Sequence, residues 1–285
     1  MKRESIVTVK NLEVRWIIEK DVLNYTDILV KYLEDKNIYY RETTYQEVVS
    51  HNYSDKYGNY LGDDEVATIF VGSLRLARQL ASRAKQINRY PVFPGAICNL
   101  KNLECLNYYP SWNDYLLNKD WTITLPSILK RYCREGDTTK KFFFRPNEGD
   151  KLFTGGLFTK SELVKLRLEE NKVIIQASKK DIRDEYRFLV VDRKIVDSTR
   201  YSNNAKSSGM YKGAKLLLEN ALWNPRTLVP DRAFTVDIGE ANTGLGVIEL
   251  NSFSCANLYS MNMDKVVPAI NELAKEMYIE SYAEN

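Results

Sequence analysis

The chain has 285 residues, 44% hydrophobic and 28% charged, with 41 basic against 38 acidic side chains and a formal net charge of +3. This composition suits a globular protein with one large domain or two to three smaller ones. The near balance of charge argues against a general nucleic-acid binder. There is no run of about 18 apolar residues, and Met1-Lys2-Arg3-Glu4-Ser5 is no secretory signal, so a cytoplasmic setting without membrane contact is expected.

Side-chain chemistry narrows the classes further. The single histidine, His51, lies in the polar stretch Ser50-His51-Asn52-Tyr53-Ser54-Asp55, which reads as a surface loop and not as a histidine triad or zinc hydrolase site. Cys98, Cys105, Cys133 and Cys255 show no CxxC spacing, so reduced, buried thiols are expected rather than disulfides or a zinc site.

In chain order, residues 1–90 alternate strands and helices. Ile6 to Val9 and Val14 to Ile18 are strand-like, Asp21 to Leu33 carries apolar residues at helical spacing, and Ile38 to Tyr40 is strand-like. Val66 to Val71 reads as a buried strand, followed by the Gly72-Ser73 turn and a helix over Leu74 to Ala84. These elements predict an N-terminal α/β domain. Residues 91–140, with Pro91, Pro94, Pro110, Pro126, Trp112 and Trp121, read as an aromatic-rich connecting region of short elements.

From 141 to 285 a second α/β unit is expected. Phe142 to Pro146 forms a strand, Asn147 to Gly156 a glycine-bearing loop, and Thr159-Lys160-Ser161-Glu162 has capping-box spacing that should start a helix through Leu168. Strands follow at Val173 to Ala177, Tyr186 to Val191 and Lys194 to Ser198. A polar loop around Ser202 to Gly209 and a helix near Gly213 to Trp223 lead to two more strands, and a final amphipathic helix runs from Val267 to Tyr278.

Those two late strands carry the chemistry. In Phe234-Thr235-Val236-Asp237-Ile238 the apolar residues alternate with Thr235 and Asp237, and in Val247-Ile248-Glu249-Leu250-Asn251 the side chains of Glu249 and Asn251 share a face. Joined by the turn-rich Gly239 to Gly246, the strands should pair antiparallel and bring Asp237, Glu249 and Asn251 together. Such a set of oxygens suits a hard divalent cation held with phosphate oxygens, and equally a solvated sheet face. Arg145 at a strand end and Lys151 in the following loop suit a polyphosphate.

The ordered set Arg145-Pro146, Lys151-x-Phe153-x-Gly155, Gln176, Glu185-x-Arg187, Arg200, Asp237 and Glu249-x-Asn251 resembles the motifs of ATP-grasp ligases. It is most similar to the phage and bacterial clade named for two arginines and one lysine, over roughly Lys141 to the C-terminus. The resemblance implies an ATP-grasp fold that holds ATP between two α+β subdomains, behind the N-terminal α/β domain. It implies magnesium ligands at Asp237, Glu249 and Asn251, and nucleotide contacts from Arg145, Lys151, Gln176, Ala177, Ser178, Glu185 and Arg187. Arg187 and Arg200 match positions facing the transferred phosphoryl group.

The implied activity is an ATP- and magnesium-dependent carboxylate–amine ligation through an acyl phosphate, releasing ADP and phosphate. Its partners would be ATP, a carboxylate and an amine acceptor, which the sequence does not name: a small molecule, a peptide or a modified macromolecule. Two alternatives stand beside it: a phosphotransferase on the same scaffold, and a non-catalytic nucleotide-sensing or nucleic-acid-interacting protein.

Overall fold

The computed structural model describes residues 12–50, 54–55, 58–59, 66–86, 100–135, 139–148, 152–201 and 209–283. The expected strand at Ile6 to Val9, His51 and Lys151 lie outside these residues. In chain order the first elements are β1 (Glu13–Glu19), α1 (Thr26–Asp35), β2 (Tyr40–Thr43), α2 (Tyr45–Ser50), β3 (Ser54–Asp55), β4 (Gly58–Asn59), β5 (Val66–Val71) and α3 (Leu74–Gln86). Next come α4 (Cys105–Trp112), β6 (Thr122–Thr124), α5 (Pro126–Glu135), β7 (Lys141–Pro146), β8 (Gly156–Thr159), α6 (Lys160–Val164), β9 (Ile174–Ala177), β10 (Ile182–Val191) and β11 (Lys194–Arg200). The chain finishes with α7 (Tyr211–Trp223), β12 (Ala233–Ala241), β13 (Gly244–Ser252) and α8 (Met263–Ala283).

Three main sheets organise these elements, besides the small β3–β4 pair: a parallel one in the order β2-β1-β5 and two antiparallel ones in the orders β6-β9-β7-β8 and β11-β10-β12-β13. The apolar runs of β1 and β5 are buried on both faces, as a parallel sheet requires. On one side Ile17 and Phe70 meet Leu76 and Leu80 of α3. On the other, Trp16 and Ile18 share a core with Leu29 and Leu33 of α1, Leu189 of β10, and Val267 and Ile270 of α8. Trp16 is fully buried, and its indole N–H donates to Asn271 Oδ1 at 2.9 Å, so its polar edge is satisfied within α8.

The large antiparallel sheet is therefore covered twice. Leu189 and Val191 face α8, while Phe188, Val190, Val236 and Ile238 face Tyr108 and Trp112 of α4 and Ala214 and Leu218 of α7. Each such large side chain contributes about 1.5–3 kcal/mol on burial. Residues expected to be a connecting region thus supply α4 to one core, the edge strand β6 to the smaller sheet, and Leu129 of α5 to its core beside Phe144 and Leu163.

Several local expectations shift. The capping box forms, with Thr159 Oγ1 accepting from the Glu162 N–H at 3.1 Å and the Glu162 carboxylate accepting from the Thr159 N–H at 2.7 Å, but α6 ends at Val164 instead of reaching Leu168. Arg167 turns to φ 52°, which breaks the helical path. The helix expected from Asp21 starts at Thr26, since Asp21 has φ 59°. The connection expected over Gly239 to Gly246 shrinks to Asn242-Thr243, followed by Gly244 at φ 111°, and both strands run into it.

Candidate functional site

The β12–β13 register puts Asp237 opposite Glu249 and Thr235 opposite Asn251, on the face of the large sheet that also carries Arg187 and Glu185 of β10. A bulge follows: Asp237 pairs with Glu249, but Ile238 pairs with Val247, leaving Ile248 extra. This extra residue re-aims the local backbone, and its carbonyl accepts from Arg145 Nη1 at 3.2 Å. The same guanidinium reaches the Tyr109 hydroxyl at 3.5 Å, and its Nη2 lies 3.5 Å from Glu249 Oε2. Arg145 thereby bridges the two antiparallel sheets.

Between these sheets and the start of α3 lies a cleft of about 440 Å³. Arg145, Glu148, Glu185, Asp237, Glu249 and Asn251 line it, together with Phe143, Phe153, Gly155 and Tyr201. Asn251 Nδ2 donates to Glu249 Oε1 at 2.9 Å, tying the amide to the carboxylate two residues before it. Burial raises the Asp237 carboxyl to about 6; Arg187 opposes this and the neighbouring Glu249 carboxylate adds to it.

Asp237 is 2% exposed and Arg187 7% exposed, and they form a bidentate pair: Nε to Oδ1 at 2.7 Å and Nη2 to Oδ2 at 2.6 Å. Arg187 Nη1 donates to the Asn257 carbonyl at 2.9 Å. Its guanidinium carbon lies 5.4 Å from the ring of Tyr201 and 5.3 Å from that of Tyr259, and those rings stack on each other at 4.8 Å. The Tyr201 backbone N–H donates to the Glu185 carbonyl at 3.2 Å, tying this aromatic pair to β10.

The other expected residues lie elsewhere. Arg200 pairs with Tyr186 across β10–β11, on the face opposite Arg187, and its Nε donates to both Asp184 oxygens at 2.7 and 2.9 Å. At the end of β9, Ala177 shares a face with Phe143 and Arg145, whereas Gln176 sits opposite Phe144 on the other face. The Ser178 N–H donates to Asp120 Oδ2 at 2.9 Å. None of Gln176, Ala177, Ser178, Arg187 and Arg200 lines the cleft.

Sequence reasoning passed over Asp184, Tyr201, Tyr259 and Asp120. The i, i+2 spacing of Asp184 and Tyr186, whose hydroxyl donates to Asp184 at 3.1 Å, was the one local sign of the Arg200 network. Tyr201 and Tyr259 carry no such sign, because their stacking spans distant parts of the chain.

Among the described residues no group of three His, Cys, Asp or Glu side chains is placed to hold a metal ion. The donor set at the cleft is two carboxylates and an amide, which fits a magnesium ion that takes its remaining ligands from water and phosphate oxygens, not from an all-protein cage. An ionised carboxylate has about four lone-pair directions, so Arg187 leaves acceptor capacity on Asp237.

A nucleotide-sized cleft between two antiparallel sheets, with an acid-and-amide ledge on one and a cation from the other, is the arrangement of an ATP-grasp protein. The model of the family described as "ATP-grasp domain, R2K clade family 3" matches residues 101–270, and the chain belongs to that family. Its match starts at residue 101, just ahead of α4 and upstream of the stretch over which the motifs are recognisable.

Solved structures agree in fold. The ATP-grasp ligase PsnB, complexed with a minimal precursor, superimposes with a TM-score of 0.59 at 12% identity, covering 93% of this chain and 99% of that one. The D-alanine–D-alanine ligase of Coxiella burnetii gives 0.58 at 12% identity over 95% and 97% of the two chains. The macrocyclase MdnC of Microcystis aeruginosa, bound with the precursor peptide MdnA, gives 0.52 at 12% identity over 94% and 99%. No curated protein matches the sequence. No helix among the described residues is long and apolar enough to cross a membrane.

Proposed function

We propose that the chain is a magnesium- and ATP-dependent carboxylate–amine ligase that works through an acyl phosphate and releases ADP and phosphate. The observation carrying this reading is the convergence of Asp237, Glu249 and Asn251 with Arg145 on one cleft. A substrate carboxylate oxygen attacks the γ-phosphorus of ATP while the bond to the β–γ bridging oxygen breaks, and ADP departs. An amine then attacks the acyl carbon, the acyl C–O bond breaks, and the departing phosphate takes up the proton lost from nitrogen.

The residues divide this work. Asp237, Glu249 and Asn251 would hold magnesium, which supplies charge neutralisation at the phosphate oxygens. Arg145 and Lys151 meet phosphate charge, with Arg145 anchored by the Ile248 carbonyl so that little reorganisation accompanies reaction. Arg187 fixes Asp237 and presents positive charge behind the phosphoryl group. Glu185, which lines the cleft, serves the nucleotide; the strand end Gln176-Ala177-Ser178 would meet only a part of the nucleotide that reaches past the lining residues, and Arg200, held by Asp184, supports the β10–β11 edge from the opposite face. Such electrostatic positioning needs no histidine or nucleophilic cysteine.

The test is a screen of amino acids, peptides and nucleic acids for acceptor-dependent ADP release with magnesium, followed by mass spectrometry of the product. Amide formation with ADP supports the reading, whereas a stable phosphorylated acceptor overturns ligation in favour of phosphotransfer. Glu249→Gln should abolish ADP formation with the fold intact; full activity in that variant would sink the metal assignment.

A further inference from the structure

The cleft is lined from both faces of β13. Asp237, Glu249 and Asn251 line it from one face, whereas Leu250 and Ser252, opposite Val236 and Phe234, line it from the face that packs on α4. Leu103 joins them there: residues 100–103 form a short helical turn against β13, and Leu103 and Leu250 share one core. Glu148 enters from the turn after β7. Its neighbour Asn147 is fixed to the start of α4, accepting from the Cys105 N–H with its carbonyl and from the Leu106 N–H with Oδ1, both at 2.9 Å.

The orphan polar atoms of the cleft lie on these residues. Of the buried side-chain polar atoms without a hydrogen-bond partner among the described residues, only Glu148 Oε2 and Ser252 Oγ belong to residues that line the cleft. Ser252 is 3% exposed. Glu148 Oε1 lies 3.5 Å from the Nζ of Lys172, a residue outside the lining, while Oε2 accepts no hydrogen bond. Buried polar groups in folded chains are paired almost throughout, and a buried carboxylate oxygen left alone is costlier than a neutral one. An ionised carboxylate only accepts, and a serine hydroxyl can accept, so one N–H donor group can complete both. On the α3 side of the cleft the demand is already met, because the Ser73 N–H donates to the Glu19 carboxylate at 2.7 Å.

We infer that Glu148 and Ser252, with Leu103 and Leu250, form the subsite for the amine acceptor, and that this acceptor is a primary amine on an alkyl body. The inference rests on the ligase reading above and names a substrate class for it. Among the reacting groups, the substrate carboxylate and the triphosphate present oxygens that an ionised Glu148 repels. The amine presents N–H groups instead, one for each orphan acceptor, and its alkyl body meets the two leucines. ATP carries donors of its own on ribose and adenine, and the experiment separates these from the amine.

Calorimetric titration of the full chain with n-butylammonium chloride, in magnesium chloride, tests the subsite directly. Tetramethylammonium chloride is the control, since it has the charge but no N–H. Wild type should bind butylammonium and not tetramethylammonium. Glu148→Gln should weaken butylammonium by about tenfold or more and Ser252→Ala by about threefold to tenfold, the scales of a charged and a neutral hydrogen-bond partner lost. Ser252→Ala removes no charge, so its loss reports hydrogen bonding alone, and it keeps the test decisive if Glu148→Gln fails to fold. Equal affinity of wild type for the two ions, no butylammonium binding, or unchanged affinity in both variants overturns the subsite. A Glu148→Gln chain with wild-type circular dichroism that loses magnesium–ATP affinity in place of butylammonium affinity assigns Glu148 to the nucleotide, and overturns it as well.

Once the acceptor screen yields a substrate, Glu148→Gln should raise the KM for the amine by about tenfold or more and leave the KM for ATP unchanged. An unchanged amine KM overturns the inference. Absence of ADP release with every acceptor overturns the ligase reading instead, while the butylammonium titration still decides whether Glu148 and Ser252 receive an amine.

Discussion

Arg187 clamps both carboxylate oxygens of Asp237 at 2.7 and 2.6 Å across neighbouring strands, with both side chains almost wholly buried. Removing one partner leaves the other charge without compensation. Arg187→Met is expected to cost about 3–5 kcal/mol in urea denaturation, and the double variant Arg187→Met/Asp237→Leu should recover most of that loss. A double variant no more stable than the single one would show that the pair is not the source of the loss.

Asp237 also makes stability depend on pH. Its carboxyl stands at about 6 in the fold against an ordinary 3.8, through burial first, with Arg187 opposing and Glu249 adding. The folded chain holds this proton more tightly than the unfolded one, so the stabilising contribution is complete below 3.8 and is lost as pH rises through about 6. Carboxyl-carbon NMR should place the Asp237 midpoint near 6, and Glu249→Gln should move it down by removing the like charge. An unmoved midpoint in that variant would remove Glu249 as a cause.

The Asp184 carboxylate, 1% exposed, gathers Arg200, the Tyr186 hydroxyl and the Glu185 N–H. Asp184→Asn should cost about 1–3 kcal/mol in stability. Because Glu185 lines the cleft from the adjacent position, ATP affinity should weaken as well. Calorimetric titration with magnesium and ATP checks this; unchanged affinity would confine Asp184 to folding.

Gly246 sits against the backbone of Leu117, where an added Cβ would meet Cα and N at 2.4 Å. Next to it, Val247 exchanges backbone hydrogen bonds with the 115–117 segment, donating to Tyr115 at 2.7 Å and accepting from Leu117 at 2.9 Å. Gly246→Ala must push the segment off β13 and is expected to cost about 1–3 kcal/mol. A Gly246→Ala chain with wild-type urea midpoint would mean that the segment yields without penalty.

The common face of Asp237, Glu249 and Asn251 could be read from alternation, because side-chain direction along a strand is a local property of the backbone. For the same reason β5, the capping box at Thr159 and the strand ending at Pro146 were legible, each being specified by residues within a few positions. The family likewise follows from ordered motifs on those local elements.

Partnership was not legible. Arg187 and Asp237 are 50 residues apart, Arg145 and Ile248 are 103 apart, and Glu19 and Ser73 are 54 apart, so each contact exists only once the sheets are in register. Alternation could not foresee the bulge at Ile248, nor that Arg200 would turn to the far face beside Asp184. The sequence alone therefore set which side chains are available and which way each strand points them. Tertiary packing decided which charges neutralise one another and which remain for a ligand, because Coulomb and hydrogen-bond energies depend on separation in space and on exclusion of water.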